Sequence, residues 1–258
     1  MRIIILAAGK GERLMPLTRN TPKPLLDLGH GSTLLEEQIA SIQHAGVIDE
    51  IVLVVGYLAE QVEVKIHWHQ ANGIRIRTLY NPFYEVSNNL MSLWFAQHEM
   101  TDDFMVTNGD NLFLPEVFRE LATTCGEGIF LATSAKPAYG YDDMKVTMSD
   151  GLVAQVSKAI PPEQIHAESP GLALVRGARA RALFQDQLEK LVRRKESMNR
   201  FWLEVFNQLY ERGVPVHPFP FDGETGWQEV DFHSDVDKVK GLLVSKGQLL
   251  GRLKEVAS

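Results

Sequence analysis

The sequence predicts an α/β fold with a Rossmann-like, mixed but mostly parallel sheet flanked by helices. Two observations support this prediction. Along the first half of the chain, short apolar runs typical of buried strands alternate with amphipathic segments of helical period, which favours parallel strands joined by crossover helices. Further along, Asp150-Gly151 separates two segments of alternating polarity, the usual signal for a β-hairpin. We therefore expect a hairpin inserted into a mostly parallel sheet.

The first half of the chain contains a regular alternation of predicted strands and helices. Strands are predicted at residues 2–7, 50–56, 74–82 and 103–111, and helices at 33–46, 59–70 and 88–100. The first helix has clear end signals, because Thr33 with Glu36 resembles a capping box and Gly46 suits a helix end. Asn81-Pro82 stops the third strand, since proline cannot donate a hydrogen bond to a sheet.

The second half of the chain is more mixed. A hairpin is predicted at 144–158, further strands at 171–177, 214–221 and 227–232, and helices at 178–195, 199–212 and 234–258. The last of these helices is amphipathic, with a polar outer face. No repeat, low-complexity tract or linker interrupts the sequence, so we expect residues 1–258 to form one domain.

The composition excludes several classes of protein. The 258 residues are 45% hydrophobic, enough for a sizeable core, and their net charge of −7 disfavours nucleic acid as a main partner. The single Cys125 excludes an internal disulfide and fits a reducing compartment. The opening apolar run is too short for a signal peptide, and no run reaches the length of a membrane span. We therefore expect a cytoplasmic protein that has no membrane partner.

A basic loop with two glycines follows the first strand, in the segment LAAGKGERLMPLTRNTPKPLL at residues 6–26. Two familiar phosphate-binding motifs fail on spacing, because Lys10 is not followed by Ser or Thr and the third glycine of a dinucleotide fingerprint is missing. The loop still suits a phosphate. Its glycines let backbone N–H groups approach an anion closely, and cationic residues outnumber acids. The alternative is a solvated basic loop.

This segment resembles the signature of the nucleotidyltransferase family that makes activated sugars and alcohols. The signature G-x-G-x-R, P-x-T and P-K-P is matched here by Gly9, Gly11, Arg13, Pro16, Thr18, Pro22, Lys23 and Pro24. The later segments NGDN and EVDFHSD also resemble family elements. The resemblance implies the nucleotidyltransferase fold, with a nucleotide-binding half at about 1–133, an acceptor-binding half with a substrate-facing hairpin at about 134–233, and a C-terminal helix at about 234–258.

The segment NPFYEVSNNLMSLWFAQ narrows the resemblance to the branch of phosphocholine, inositol-phosphate and phosphonate cytidylyltransferases. Membership of this branch implies transfer of CMP from CTP to a small phosphorylated alcohol or a phosphonate, with release of pyrophosphate and with Mg²⁺ as cofactor. Two alternatives stay open: a sugar-1-phosphate uridylyl- or thymidylyltransferase, and a non-catalytic nucleotide-binding regulatory subunit. A homodimer is also left open.

The resemblance implies roles for individual residues. Arg13 and Lys23 are the expected catalytic residues, which neutralise the charge on the phosphates. Asp110 and Asp231 are the expected Mg²⁺ ligands, with Glu229 and Asp235 as alternatives to Asp231. Nucleotide-binding residues are expected at Leu6, Ala7, Ala8, Gly9, Gly11, Asn81, Ser87 and Asn88, and acceptor-binding residues at Lys158, Tyr141, Trp202 and Glu229.

Three of the expected binding residues also have a structural explanation. Asn81 could cap the turn before the proline that follows it, and Asn88 could cap its helix. Lys158 could be a solvated lysine at the edge of the hairpin. The sequence alone does not decide between these explanations and binding.

The aromatic and histidine residues are less specific signals. Tyr141 and Trp202 could box a quaternary ammonium group, but most such aromatic residues belong to an ordinary core. His67 and His69 point to different sides of a predicted helix. We therefore predict a surface or partly buried role for these histidines instead of a metal site.

Overall fold

The computed structural model describes residues 1–29, 31–123 and 126–241. Its strands are β1 (Arg2–Leu6), β2 (Glu50–Val55), β3 (Ile76–Tyr80), β4 (Phe104–Asn108), β5 (Asn111–Phe113), β6 (Gly128–Thr133), β7 (Lys145–Ser149), β8 (Leu152–Ser157), β9 (Ala167–Glu168), β10 (Leu172–Arg176), β11 (Val216–Pro220) and β12 (Trp227–Glu229). Its helices are α1 (Leu34–Ala45), α2 (Ala59–Ala71), α3 (Asn89–Phe95), α4 (Pro115–Thr123), α5 (Ala178–Val192), α6 (Glu204–Glu211) and the short α7 (Gly223–Gly226). Residues 233–241 are also helical.

A seven-stranded sheet lies at the centre of the fold, in the order β11-β6-β10-β4-β1-β2-β3. β1 pairs in parallel with both β2 and β4, and the pairs β2–β3 and β6–β11 are parallel as well. β10 runs antiparallel between β4 and β6. The predicted mixed, mostly parallel sheet flanked by helices is therefore confirmed. The connection after β1 leads to β2, toward one edge of the sheet, and the chain after β4 continues to β6, toward the other edge, so a crevice is expected at the carboxyl ends of β1 and β4.

The strand β1 is buried on both faces of the sheet. Ile3 and Ile5 pack in one core with residues of α1, α2 and α4, whereas Ile4 and Leu6 pack in the other with residues of α3, α5 and α6. Burying a side chain of this size contributes about 1.5–3 kcal/mol relative to leaving it exposed. The loop that leaves the end of β1 therefore starts from a firmly packed strand.

Helix α1 begins and ends as its sequence predicts. The Thr33 hydroxyl accepts a hydrogen bond from the Glu36 amide at 3.3 Å, and the Glu36 carboxylate accepts one from the Thr33 amide at 2.9 Å. This reciprocal pair is the predicted capping box. Gly46 ends the helix with φ at 69°, a left-handed conformation that glycine adopts without strain.

The predicted hairpin is formed by β7 and β8. Asp150 and Gly151 connect the strands with φ angles of 51° and 76°, which suits a tight two-residue turn. β9 pairs with the other edge of β7, so the hairpin belongs to a separate three-stranded antiparallel sheet. This small sheet packs against α6 and β11 through β8.

Five strands or helices are not predicted as separate elements by the sequence analysis: β5, α4, β6, β9 and α7. β5 has only three residues and depends on pairing with β12, far away in sequence. α4 is short, and β6 is an unbroken apolar run whose pattern does not distinguish a strand from a helix. The predicted helix at 199–212 begins later, at Glu204.

The C-terminal helix and the single cysteine fall partly or wholly outside the described residues. The predicted helix at 234–258 is described only as far as residue 241, and Cys125 lies in one of the gaps. Across the described ranges, none of the helices is both long enough and apolar enough to cross a membrane.

Candidate active site

A cleft of about 310 Å³ opens at the carboxyl ends of β1 and β4. The loops that follow these two strands form one wall, and the start of β10 lies beside them because that strand runs in the opposite direction. The hairpin and the segment around Phe201 form the opposite wall. The cleft therefore lies where open α/β sheets place their ligands.

The loop after β1 is shaped by its glycines and by the close approach of β4. Gly11 has φ at 63°, and the Thr18 hydroxyl donates a hydrogen bond of 2.8 Å to its carbonyl oxygen. A Cβ atom on Gly109 would lie 2.6 Å from the Cβ atom of Ala7, so the two loops can meet only if that position is glycine. Leu6, Ala7, Ala8, Gly9 and Gly11, all predicted to bind nucleotide, line the cleft at this end.

The predicted catalytic and metal-binding residues form one ion-pair cluster in the cleft. The Lys23 Nζ atom lies 3.1 Å from a carboxylate oxygen of Asp110 and 2.9 Å from one of Asp231. Arg13 pairs with the other oxygen of Asp231 and, at 2.7 Å, with Asp142. The structure thus brings together four residues that are far apart in the sequence.

The close packing of these charges shifts their pKa values. Burial alone would lower the pKa of the Lys23 amine, but Asp110 and Asp231 overcome this and raise it. Burial would likewise raise the pKa of Asp231, but Lys23 and Arg13 lower it. Desolvation in the cleft, together with the negative charges of Asp110 and Asp231, raises the pKa of Glu229 to about 8. Burial and the neighbouring carboxylates therefore favour the protonated form of Glu229, in contrast to the ion-paired Lys23 and Asp231.

The two predicted metal ligands suit Mg²⁺. Asp110 Oδ1 is buried and has no hydrogen-bond partner, so no donor offsets the cost of removing this carboxylate oxygen from water. Asp231 lies on the other side of the same lysine. Within the described ranges no group of three or more His, Cys, Asp or Glu side chains is arranged to hold a metal ion. A pair of carboxylates is nevertheless a common Mg²⁺ site, because substrate phosphates and water supply the other ligands.

Buried hydrogen bonds hold the loop that carries Asp110. Gln38, which is 5% exposed, donates from Nε2 to the carbonyl oxygens of Gly109 at 3.2 Å and Asn111 at 2.9 Å, on either side of that aspartate. The Trp227 indole donates to the Asn111 side chain at 2.9 Å. These contacts fix the backbone around Asp110 from two directions.

The residues predicted to recognise the base lie along the edge of the cleft, partly engaged in local structure. The Asn81 oxygen accepts from the Phe83 amide at 2.9 Å, and its nitrogen donates to Ser92 at 3.0 Å, so this side chain does cap the turn. Asn88 caps α3, because its oxygen accepts from the Asn89 amide at 2.8 Å. Asn81, Ser87 and Asn88 all line the cleft, so a capping role does not remove them from it.

Lys158 lies at the end of β8 and its side chain reaches into the cleft. Its Nζ atom pairs with Asp142 and lies 4.9 Å from the centre of the Phe201 ring. Lys158 and Glu229 both line the cleft, as predicted for residues that contact the acceptor. The side chain of Lys158 is paired rather than a solvated lysine at the edge of the hairpin.

Two residues predicted to bind the acceptor do not line the cleft. Trp202 is 0% exposed within the apolar core, and its indole donates to the Asn108 side chain at 2.8 Å. Tyr141 is 84% exposed and is not among the residues that line the cleft. Neither side chain can box a ligand in this arrangement. The cleft is instead lined by Phe201 and Trp227.

The sequence analysis misses a group of charged residues in the acceptor half. Asp142 pairs with both Arg13 and Lys158. Lys136 pairs with Asp143 at 2.7 Å and with the buried Glu168 at 2.5 Å. The two adjacent aspartates at 142 and 143 stand in a loop with no recognisable motif. Only their partners across the cleft reveal their position.

The profile of the family described as Nucleotidyl transferase matches residues 2–154, more than half of the chain. The chain belongs to this family, as its opening segment predicted. Among proteins of assigned function, it is 36% identical over 119 residues to the choline-phosphate cytidylyltransferase of Streptococcus pneumoniae, a match that covers 46% of this chain and 48% of that protein.

Two further relatives are named for other activities. The chain is 33% identical over 159 residues to a bifunctional IPC transferase and DIPP synthase of Rubrobacter xylanophilus, which covers 61% of this chain and 35% of that protein. It is 34% identical over 122 residues to a CMP-5'-(3-aminopropyl)phosphonate synthase of Streptomyces rubellomurinus, a match that covers 47% of this chain and 19% of that protein. The chain thus spans about half or less of the length of these relatives.

Solved structures agree on the fold. The CTP:phosphocholine cytidylyltransferase of Streptococcus pneumoniae superposes with a TM-score of 0.71 at 24% identity, over 94% of this chain and 98% of that one. The inositol-1-phosphate CTP transferase of T. maritima gives a TM-score of 0.71 at 20% identity, over 93% of this chain and 94% of that one. At these identities the similarity establishes the fold of the chain.

Proposed function

We propose that the protein is a Mg²⁺-dependent cytidylyltransferase, which transfers CMP from CTP to a small phosphorylated alcohol or a phosphonate and releases pyrophosphate. The observation that carries this proposal is the cluster of Lys23, Arg13, Asp110 and Asp231 beside the glycine-containing loop. The relatives described above support CTP as the nucleotide, because they include a choline-phosphate cytidylyltransferase and a CMP-phosphonate synthase.

In the proposed reaction an oxygen of the acceptor phosphate attacks the α-phosphorus of CTP, and the bond to the pyrophosphate oxygen breaks. Two anions must approach each other, so positioning and charge neutralisation supply most of the catalysis. Lys23 is placed to neutralise charge on the α-phosphate and the attacking oxygen. Arg13, a rigid fork with several donors, suits the β- and γ-phosphates, and Lys158 suits the acceptor phosphate.

Asp110 and Asp231 would hold Mg²⁺, with Glu229 beside them. When bound, Mg²⁺ would supply a positive charge that neutralises phosphate oxygens of the nucleotide. Backbone N–H groups from Ala8 to Gly11 would bind the triphosphate, since glycine leaves them accessible. The attacking phosphate oxygen carries no proton that must be removed at neutral pH, so the mechanism needs no general base.

A sugar-1-phosphate uridylyl- or thymidylyltransferase is the second candidate, because it would use the same cluster with a different base and acceptor. The segment that lines the base end of the cleft favours cytosine: Asn88 presents an amide whose nitrogen can donate to N3 or O2 of cytosine. A non-catalytic regulatory subunit is the third candidate, but a protein that only binds nucleotide has no need of two paired carboxylates beside Lys23.

Pyrophosphate release with CTP, UTP, dTTP and ATP, each against phosphocholine, inositol 1-phosphate, an aminoalkylphosphonate and glucose 1-phosphate, tests the proposal. We expect CTP to exceed UTP by at least roughly tenfold in kcat/KM, about 1.4 kcal/mol. Asn88→Ala should reduce that ratio and leave the Mg²⁺ requirement unchanged. In the parent, the Asn88 amide would be left without a hydrogen-bond partner when uracil binds, and the variant no longer has this amide. Preference for UTP or dTTP with glucose 1-phosphate would favour the second candidate, and no release from any pair would favour the third.

A further inference from the structure

The carboxylate of Asp142 joins two cations, Arg13 and Lys158, that come from different parts of the cleft. Asp142 Oδ2 lies 2.7 Å from Arg13 Nη1, and its Oδ1 pairs with Lys158 Nζ. Arg13 comes from the loop after β1, whereas Lys158 comes from the end of β8. The side chain of Asp142 is 26% exposed, so it is held within the cleft and still reached by solvent.

The two cations that Asp142 joins are those that the proposed function gives to the two substrates. A carboxylate that accepts hydrogen bonds from both cations occupies the place that an anionic phosphate oxygen would take between them. Arg13 is shared further with Asp231. Both carboxylates contact Nη1 of Arg13, so a triphosphate that binds through this nitrogen displaces at least one of them.

Asp142 is held in this position by the backbone on both of its sides. Lys145 is 6% exposed, and its Nζ atom donates to the carbonyl oxygens of Tyr141 at 3.4 Å, Asp143 at 3.5 Å and Lys158 at 2.8 Å. One buried ammonium group therefore fixes the loop that carries Asp142 relative to the strand end that carries Lys158. Because Arg13 lies on a different element, its contact with Asp142 is the one that a ligand can break without moving this loop.

We propose that Asp142 is a specificity-determining residue, an internal anion that competes with phosphate for Arg13 and Lys158. This inference rests on the proposed function, because that function assigns phosphates to these two cations. A ligand with several phosphates, aided by Mg²⁺, replaces the carboxylate, whereas inorganic phosphate offers too little charge to do so. Asp142 thereby keeps the cleft free of small anions and selects polyphosphate ligands.

The test is a titration of the full chain with CTP, inorganic tripolyphosphate and inorganic phosphate by isothermal titration calorimetry at low salt with Mg²⁺. Asp142→Asn keeps the shape of the side chain and removes its charge. We expect it to bind tripolyphosphate at least about threefold more tightly than the parent, the scale of one partly exposed ion pair, and to acquire measurable affinity for inorganic phosphate.

Asp150→Asn is the matched control, because it removes the same charge from the exposed turn of the hairpin, where the Asp150 carboxylate accepts a hydrogen bond from the neighbouring Ser149 hydroxyl at 3.3 Å. We expect this variant to bind like the parent, since solvent screens a distant charge. Unchanged or weaker tripolyphosphate binding in Asp142→Asn overturns the inference, as does equal tightening in both variants.

The outcome distinguishes this inference from the proposed function. If the parent binds neither CTP nor tripolyphosphate, the proposed function fails. If the parent binds both and Asp142→Asn shows no tightening, only the competition by Asp142 fails. Thermal unfolding of both variants checks that each is folded under the conditions of the titration.

Discussion

Replacing Lys23 with methionine tests the charge cluster through stability as well as activity. Methionine keeps an unbranched side chain and removes the ammonium group, so Asp110 and Asp231 lose the cation between them. Breaking a buried ion pair costs about 3–5 kcal/mol. Asp110 and Asp231 are still 24% and 16% exposed, so solvent relieves part of the repulsion and we expect a loss of about 3 kcal/mol.

The same substitution should make the protein respond more strongly to Mg²⁺. Without Lys23, the carboxylates of Asp110, Asp231 and Glu229 face one another with less positive charge nearby. A divalent cation can replace that charge, and a ligand that binds only the folded state stabilises it. Catalysis should fall by about 10²- to 10³-fold, as is typical when one preorganised charge contact is removed.

Urea unfolding in EDTA and in excess Mg²⁺ measures both effects. Lys65→Met is the matched control, because Lys65 pairs with Glu36 at 2.7 Å outside the cleft and is 33% exposed. We expect it to lose no more than about 1 kcal/mol and to show no added response to Mg²⁺. The reasoning is refuted if Lys23→Met unfolds within about 1 kcal/mol of the parent in EDTA, or gains no more from Mg²⁺ than the parent does.

Two further predictions concern residues outside the ion-pair cluster. His69 is buried with neither ring nitrogen paired, and burial lowers its pKa although Glu36 opposes this. The neutral form of His69 is therefore favoured in the folded state, whereas the unfolded chain takes up a proton as the pH falls below about 6.5. The free energy of unfolding should therefore be highest above pH about 6.5 and lower by up to about 2 kcal/mol at pH 5. Urea unfolding at both pH values measures this loss of stability. The loss should be smaller in His69→Phe and unchanged in the control His67→Gln, whose site is exposed. An equal loss in the two variants would contradict the prediction. Gln38→Leu should loosen the Asp110 loop and raise the Mg²⁺ concentration needed for half-maximal activity at least about threefold, whereas Gln43→Leu, on the exposed face of the same helix, should not. An unchanged Mg²⁺ requirement in a folded Gln38→Leu protein would show that Gln38 does not position Asp110.

The parts of the site that follow strand ends could be predicted from the sequence. Arg13 and Lys23 lie in the loop after β1, and Asp110 lies directly after β4. These strands are clear apolar runs, and the carboxyl ends of adjacent parallel strands meet at one edge of a sheet. The order of strands, which is visible in the sequence, therefore explains why the glycine loop, its two cations and Asp110 meet at one site.

The position of Asp231 depends on contacts that the sequence does not display. β12 pairs with β5, and the Val230 amide donates to the Asp110 carbonyl oxygen at 2.9 Å, which brings the second carboxylate beside the first. Both strands are three residues long, too short for a periodic pattern. Only the resemblance to the family predicted this residue.

Burial and long-range pairing account for the remaining differences. Trp202 is enclosed by the core that α5 and α6 form with the sheet, and an aromatic residue in a sequence does not reveal whether it faces a core or a cleft. Asp142 finds its partners across the cleft at positions 13 and 158. Such pairs arise from tertiary structure, so local sequence carries no signal for them.

The ion pairs of the cleft explain how a protein with a net charge of −7 can bind anions. Lys23 and Arg13 are neutralised by Asp110, Asp231 and Asp142, so the largely buried ammonium group of Lys23 is not left unpaired. On the proposed function, phosphates take over these cations while Mg²⁺ takes over the released carboxylates. Each cation then keeps an anionic partner, so the cleft does not have to be basic overall. On the proposed function we therefore expect nucleotide and metal to bind cooperatively, since either one alone would leave charges unpaired.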